Sequence, residues 1–140
     1  GVWLGGQGLQ AQAVRTEVRK DAQGNWTIFR GGEPYYVKGA GGSVYLPEVV
    51  AAGGNSIRTW GTENARQILD EAHKHGLTVM MGLWLQHERH GFDYDDSVAV
   101  RKQKEAFRRD VLALKDHPAL LCWGVGNEVD LNYSNTNVWY

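Results

Sequence analysis

The sequence predicts an α/β fold in which short strands alternate with helices along most of the chain, behind an N-terminal β-hairpin. Three observations predict it. Short apolar runs recur at close spacing, helical periodicity fills the gaps between them, and glycine pairs or a His-Pro step end the helices. Because a helix follows each strand, neighbouring strands must pair in parallel. We divide the chain into residues 1–34, with the hairpin, and residues 35–140, with four strand–helix units.

The N-terminal segment is predicted to form the hairpin. Apolar and polar residues alternate over residues 14–18, as in a half-buried strand. Residues 21–25 are typical of a turn, residues 26–29 resume the apolar pattern, and residues 31–34 break it. We expect this hairpin to cover one end of the strand–helix repeat.

The first strand–helix unit begins with a strand predicted over residues 35–40. Pro47 suits the first turn of the helix that follows, because its missing N–H is not needed there. Gly53 and Gly54 end that helix. The second predicted strand covers residues 55–60, and Thr62 is predicted to cap the second helix.

The second helix has one apolar face and ends at Gly76; the face is formed by Ala65, Ile68, Leu69 and Ala72. Residues 77–83 are almost continuously apolar, as a buried parallel strand should be. A long loop runs from Trp84 to about Asp96, and Asp96 or Ser97 caps a third helix. His117 and Pro118 end that helix, and residues 120–125 form the fourth strand. A polar loop follows, with a helix starting near Val138.

Composition narrows the function classes. The 140 residues carry a formal net charge of −1, which argues against a nucleic-acid surface because such surfaces need a basic excess. No apolar run approaches the roughly 18 residues of a membrane span. One cysteine, Cys122, allows no intrachain disulfide, and residues 1–8 lack the pattern of a signal peptide. The first residue is Gly1 rather than Met, which favours a trimmed chain or a fragment.

Four parallel strands are compatible with two architectures, a barrel and an open doubly wound sheet. The open sheet of a dinucleotide-binding protein needs G-x-G-x-x-G after its first strand. Here Gly39-Ala40-Gly41-Gly42-Ser43-Val44 has valine at the third glycine position, and no acidic residue ends the second strand. The fingerprint therefore disfavours a nucleotide-binding domain, and we expect no cofactor.

The strongest chemical signal is Glu128, in the run Trp123-Gly124-Val125-Gly126-Asn127-Glu128 that leaves the fourth strand. In a barrel, catalytic groups project from the carboxyl ends of the strands. A carboxylate beside glycines suits general acid/base work, and burial among tryptophans would raise its pKa toward neutrality. The alternative is an ordinary turn in which Glu128 is solvated.

Three stretches together resemble the barrel domain of clan A glycoside hydrolases, namely Asn55-Ser56-Ile57-Arg58-Thr59-Trp60, Gly76-Leu77-Thr78-Val79, and the run from His117-Pro118 to Asn127-Glu128. The resemblance extends from about Trp26 to Asp130. It is nearest to family 2 β-glycosidases and family 72 β-1,3-glucanosyltransferases. It implies the first four βα units of a (β/α)₈ barrel, which typically needs about 250 residues, so we expect an incomplete barrel.

The resemblance also implies residue roles. Glu128 would be the acid/base of a retaining glycosidase, and Asn127 would bind the sugar 2-hydroxyl. Arg58 would hold the nucleophile ionised, although a surface ion pair is its alternative role. The nucleophile belongs at the end of a seventh strand, and residues 1–140 supply no candidate. We therefore expect the isolated 140-residue chain to be inactive.

Aromatic residues near the strand ends are further candidates for substrate binding. Trp60 and Trp84 could stack on sugar faces, whereas Trp123, inside an apolar strand, favours core packing. His87 opens the long loop and could contact sugar hydroxyls; its alternative is a solvated loop histidine. The run His87-Glu88-Arg89-His90 lacks the spacing of a zinc motif, and no metal site is predicted.

The expected partner is an oligo- or polysaccharide, with hydrolysis and transglycosylation both open. A carbohydrate-binding half-barrel without catalysis is the second hypothesis, and a nucleotide-binding domain is the third. Four βα units leave two edge strands, so we expect a longer polypeptide, a homodimer, or pairing with a separate C-terminal half-barrel. The resemblance favours a secreted or periplasmic location, for which the sequence itself contains no signal.

Overall fold

The computed structural model of the protein describes residues 12–131 and contains two sheets, which confirms the mixed α/β class. The first sheet is antiparallel, in the order β1-β2-β3, and comprises β1 (Thr16–Lys20), β2 (Trp26–Arg30) and β3 (Glu33–Pro34). The second is parallel, in chain order, and comprises β4 (Gly39–Gly41), β5 (Ser56–Arg58), β6 (Thr78–Leu83) and β7 (Leu120–Val125). Three helices lie between its strands: α1 (Leu46–Ala51), α2 (Ala65–Lys74) and α3 (Ser97–Leu114). The polar loop beyond residue 131 and the helix near Val138 lie outside the described residues.

The predicted hairpin is confirmed, with Thr16 opposite Arg30 and Lys20 opposite Trp26. Asp21 stabilises its turn, because Oδ1 accepts from the backbone N–H groups of Gln23 and Asn25 at 2.9 and 2.8 Å. Residues 31–34, which break the apolar pattern, contain a further strand that the sequence did not predict. The positive φ angles of the two glycines there turn the chain back, so that β3 pairs with β2.

The antiparallel sheet covers the amino edge of the parallel sheet, as predicted. The guanidinium of Arg30 donates to the carbonyl oxygen of Pro118, just before β7, at 2.6 Å. The hydroxyl of Tyr35 lies 3.0 Å from both the carbonyl oxygen of Asn55 and the Oγ1 of Thr78, at the starts of β5 and β6. Every one of these contacts is at the end of the sheet where its strands begin.

The first two parallel strands are shorter than predicted. Instead of residues 35–40 and 55–60, they cover Gly39–Gly41 and Ser56–Arg58. The amide side chain of Asn55 explains the late start of β4: it accepts from Lys38 N and donates to Tyr36 O, both at 2.8 Å. Those backbone groups are therefore bound to a side chain rather than to a neighbouring strand.

The hydrophobic core lies between the parallel sheet and its helices. Val79 and Met81 of β6 are fully buried against Leu69 and Ala72 of α2, and Leu114 of α3 joins the same cluster. The predicted apolar face of α2 is thereby confirmed. At about 25 cal/mol per Å² of apolar surface, this layer is the main stabilising contact of the parallel sheet.

One of the two predicted helix caps is confirmed, and the other was wrong. Asp96 caps α3 as predicted, accepting from Val98 N at 2.9 Å and Ala99 N at 3.1 Å. Thr62 does not cap α2, because the helix begins after Asn64, which has a left-handed backbone. The Thr62 hydroxyl instead donates to an Asp110 carboxylate oxygen at 2.7 Å, which links the start of α2 to α3.

Within residues 12–131, none of the helices combines the length and the apolar character needed to cross a bilayer.

Candidate functional site

Arg58 and Asn127 come together at the carboxyl edge of the parallel sheet. Arg58 is the last residue of β5, and Asn127 follows the end of β7. Parallel strands deliver both to the same edge, where a guanidinium nitrogen of Arg58 donates to Oδ1 of Asn127 at 2.8 Å. Strands that are not neighbours in the sheet are therefore linked at their ends by a charge-assisted hydrogen bond.

Arg58 also faces an aromatic ring at this edge. Its guanidinium carbon lies 5.4 Å from the ring centre of Trp60, within the range of a cation–π interaction. Trp60 is 43% exposed. Arg58 thus contacts both Trp60 and Asn127, and Glu128 follows Asn127 along the chain.

The turn that carries Glu128 has an uncommon backbone. Gly126 has φ 74° and Glu128 has φ 49°, both in the left-handed region. A Cβ on Gly126 would lie 2.9 Å from Val129 Cγ1 and 3.1 Å from Leu85 Cδ1, so a larger residue would collide with its neighbours. The turn is therefore closely packed beneath an exposed carboxylate.

The expected burial of Glu128 among tryptophans was wrong for the described residues. Its side chain is 67% exposed. Trp123 is paired with Met81 and packs against the helix-side core, as its strand position favoured. Because side chains alternate across a strand, that placement puts the Trp123 ring on the helix face of the sheet.

The nearest charged partner of Glu128 is Arg89, whose guanidinium lies 4.0 Å from Oε2. Arg89 belongs to the single 3₁₀ turn Glu88–His90 in the loop after β6, and its side chain is only 25% exposed. Sequence reasoning missed this residue. No periodic signal in the sequence marks it, because the residue lies in a 3₁₀ turn within a loop.

His87 is buried rather than solvated, so the loop-histidine alternative was wrong. It is 2% exposed, and its ring is stacked between Trp84 at 4.9 Å and His90 at 5.3 Å, with interplanar angles of 8° and 6°. Neither ring nitrogen has a hydrogen-bond partner within residues 12–131. Burial lowers the pKa of His87, and the charges of Arg89 and His90 lower it further, against smaller opposing effects of the Asn127 backbone and Glu128.

The loop after β6 is tied to α3. Gln103 of that helix accepts from Gln86 N at 2.8 Å, and the Tyr94 hydroxyl donates to Gln86 O at 2.6 Å. Trp84 borders a cavity of about 310 Å³ between this loop and α3. Larger cavities lie along α1 and between α2 and α3, away from Glu128.

Among the side chains of the described part of the chain, none of the His, Cys, Asp and Glu groups forms a cluster of three or more that could hold a metal ion. The arrangement offers instead one carboxylate, one amide, two guanidinium groups and exposed aromatic surface. These groups can donate to hydroxyls, stack on a sugar and move a proton. The sequence matches no protein family model and no curated protein, so function must be inferred from the site itself.

Proposed function

We propose that the chain is the first half of a (β/α)₈ barrel that cleaves or transfers β-linked glycosides with retention, with Glu128 as the acid/base. The observation that carries the proposal is the 2.8 Å hydrogen bond from Arg58 to Asn127. It places an amide and the adjacent carboxylate at the edge of the sheet where barrel enzymes bind their substrates.

The strand order supports a barrel. The four parallel strands follow one another in the order β4-β5-β6-β7, without a reversal. A doubly wound sheet reverses direction around its first strand, whereas a barrel adds each strand on the same side. Right-handed crossovers then place the helices on one face of the sheet, and the other face becomes the barrel interior.

The hydrogen bond fixes which way the Asn127 amide faces. Because Oδ1 accepts from Arg58, Nδ2 remains as the donor for a substrate hydroxyl. A donor next to the acid/base suits the sugar 2-hydroxyl, a contact that strengthens as the transition state gains oxocarbenium character. Arg58 therefore acts on the substrate through Asn127 as well as by its charge.

In the first step, protonated Glu128 gives its proton to the glycosidic oxygen as the bond from that oxygen to the anomeric carbon breaks. A carboxylate from another part of the barrel, about 5 Å away, forms the new bond to the anomeric carbon. In the second step, ionised Glu128 takes the proton of water, for hydrolysis, or of an acceptor hydroxyl, for transfer. The open position of Glu128 leaves its carboxylate accessible to both.

The test uses the complete polypeptide that carries this chain. Methyl and dinitrophenyl β-glycosides of glucose, galactose, mannose and glucuronic acid are assayed, and the best sugar is kept for the variants. Glu128→Gln should lower kcat/KM for the methyl glycoside by about 10²–10⁴-fold, as loss of a general acid does. The rate of the first step should fall much less for the dinitrophenyl glycoside, because its leaving group needs no proton.

Azide provides a second readout. In Glu128→Ala, azide should restore turnover of the dinitrophenyl substrate and give a β-glycosyl azide, because the anion can attack the intermediate without a general base. Glu105→Gln, a change on the exposed face of α3, is the matched control and should leave all rates unchanged. Undiminished cleavage of the methyl glycoside by Glu128→Gln would reject the proposal.

Carbohydrate binding without catalysis is the second candidate function, and the exposure of Trp60 favours it. A tryptophan that is 43% exposed beside a guanidinium offers a flat surface to the C–H face of a sugar. In that case, calorimetry should detect oligosaccharide binding that Trp60→Ala weakens about 10-fold or more, without any product. Turnover that depends on Glu128 would exclude this candidate.

A further inference from the structure

The loop after β6 contacts the turn that carries Glu128 at two points. Leu85 packs at Gly126, and Arg89 reaches Glu128. His87, between them, has an extended backbone with φ −96° and ψ 138°, and the 3₁₀ turn Glu88–His90 begins directly after it.

We propose that Arg89 is a positioning residue, which orients the Glu128 carboxylate for proton transfer, and that the ring stack of Trp84, His87 and His90 holds Arg89 in place. This inference rests on the proposed function and extends it. Arg89 itself is placed beside the acid/base and not on the substrate.

The geometry of Glu128 explains why such a partner is needed. Its side chain is 67% exposed, and within the described residues Arg89 supplies the only ion pair found for it. A carboxylate in that setting samples several rotamers in the absence of an orienting partner. A guanidinium at 4.0 Å favours the rotamers directed toward the loop, with five N–H donors in a fixed plane.

The ring stack accounts for the fixed position of Arg89. His87 is 2% exposed, and both of its neighbours in the stack lie nearly parallel to it. Such burial leaves its ring nitrogens out of reach of a substrate. Because His87 and His90 of the stack flank Arg89 along the chain, the stack limits where the Arg89 backbone can lie, and the bond from Gln86 N to Gln103 holds the loop to α3.

The experiment compares Arg89→Met and Arg89→Lys in the complete polypeptide, using the methyl and dinitrophenyl β-glycosides of the preferred sugar. Arg89→Met should lower kcat for the methyl glycoside by about 10- to 100-fold, since a misplacement of about 1 Å can cost 10²-fold. It should change the rate of the glycosylation step of the dinitrophenyl glycoside by less than about 3-fold, because that step needs no proton donor.

Arg89→Lys should recover part of the lost activity, because the ammonium keeps the charge but not the planar array of donors. The matched control is Arg101→Met, at an exposed position of α3, which should behave as the wild type. Thermal unfolding of each variant checks that the fold is retained.

If Arg89 had only a structural role, Arg89→Met would lower kcat equally for both substrates and would also lower the unfolding temperature. That result would overturn the inference. Wild-type kcat on the methyl glycoside would overturn it as well. Failure of the proposed function is a separate result, because it appears as undiminished activity in Glu128→Gln, whatever Arg89 does.

Discussion

Glu128, the proposed acid/base, has an unfavourable backbone conformation. Within residues 12–131, only Tyr45, Asn64 and Glu128 have positive φ without being glycine. A side chain in the left-handed region costs roughly 1–2 kcal/mol, chiefly through contact of Cβ with the following carbonyl. Such costs occur at functional sites, where the surrounding structure enforces them. Here the packing of Leu85 and Val129 at Gly126 fixes the turn.

Glu128→Gly should therefore raise the free energy of unfolding while it removes the proposed acid/base. We expect a gain of up to about 1 kcal/mol, because relief of the left-handed strain exceeds the entropy that glycine adds to the unfolded chain. The exposed ion pair with Arg89 subtracts little. Urea unfolding measures the gain. Asn64→Gly is the control and should gain less, because asparagine tolerates this region; a loss of stability in Glu128→Gly would contradict the expectation.

His87 should make stability depend on pH. Burial lowers its folded-state pKa below the ordinary value of 6.5. Above about pH 6.5 the ring is neutral in both states and contributes no pH dependence. As the pH falls below 6.5, the unfolded chain binds a proton that the folded chain does not, so stability decreases until the folded pKa is reached.

His87→Phe keeps an aromatic ring in the stack and removes the titration. We expect its unfolding free energy to fall less than that of the wild type between pH 7 and pH 5, as measured by urea unfolding at each pH. Equal slopes for His87→Phe and the wild type would show that His87 is not the group responsible.

The sequence predicted which residue types lie at the carboxyl edge, but not how each side chain is oriented. Arg58 and Asn127 could be predicted to meet because both follow parallel strands. The exposure of Glu128 could not, because it depends on the side of β7 to which Trp123 points. The role of Arg89 follows from a contact between two loops, and loop contacts leave no periodic pattern in the sequence.

At the scale of strands and helices, predictions succeeded where local signals agreed with packing. The third and fourth parallel strands, predicted over residues 77–83 and 120–125, match β6 and β7 within one residue. Continuous apolar runs specify such buried strands. β4 was misplaced because a long-range bond from the Asn55 side chain occupies backbone groups that local pattern assigns to the ladder. β3 was missed because a glycine pair indicates a turn but does not show whether the chain turns back to pair with the preceding strand or leaves the sheet.

Two glycines of the parallel sheet differ in the space that each leaves for a side chain. Gly82 of β6 is the register partner of Gly124 of β7. A Cβ on Gly82 would overlap the backbone of Trp60, which cannot move without shifting the end of β5. A Cβ on Gly124 would lie 3.0 Å from the terminal methyl group of Met80, which can rotate away.

Gly82→Ala should therefore cost about 1–3 kcal/mol of stability and disturb Trp60, whereas Gly124→Ala should cost less than about 1 kcal/mol. Denaturant unfolding measures the two costs, and the fluorescence of Trp60 reports displacement of the β5 end. Equal costs for the two variants would mean that the close approach of β5 to β6 is not rigid.

The two ends of the parallel sheet carry different parts of the molecule. The antiparallel sheet is attached at the amino edge by Arg30 and Tyr35, and the candidate site occupies the carboxyl edge with Arg58, Asn127 and Glu128. The expectation that the hairpin covers one end was correct. Which end it covers required the contacts of Arg30 and Tyr35, since neither residue carries a sequence signal for its partner.

Removal of the Arg30 contact should weaken the molecule at the amino edge alone. We expect Arg30→Met to lower the free energy of unfolding by about 1.5–3 kcal/mol, because Pro118 O loses a charged donor in a half-buried setting. Hydrogen exchange in β1 and β2 should speed up. The control Arg15→Met alters a side chain that is 83% exposed and should change stability by less than about 0.5 kcal/mol.

The distance between those two edges has an evolutionary consequence. The contacts that attach the antiparallel sheet lie where the parallel strands begin, while the loops after β5, β6 and β7 open on the opposite side. Insertions and substitutions in these loops can accumulate without disrupting the attachment of the antiparallel sheet. A scaffold divided in this way lets descendants acquire new ligand preferences step by step, each variant still reaching the same folded form.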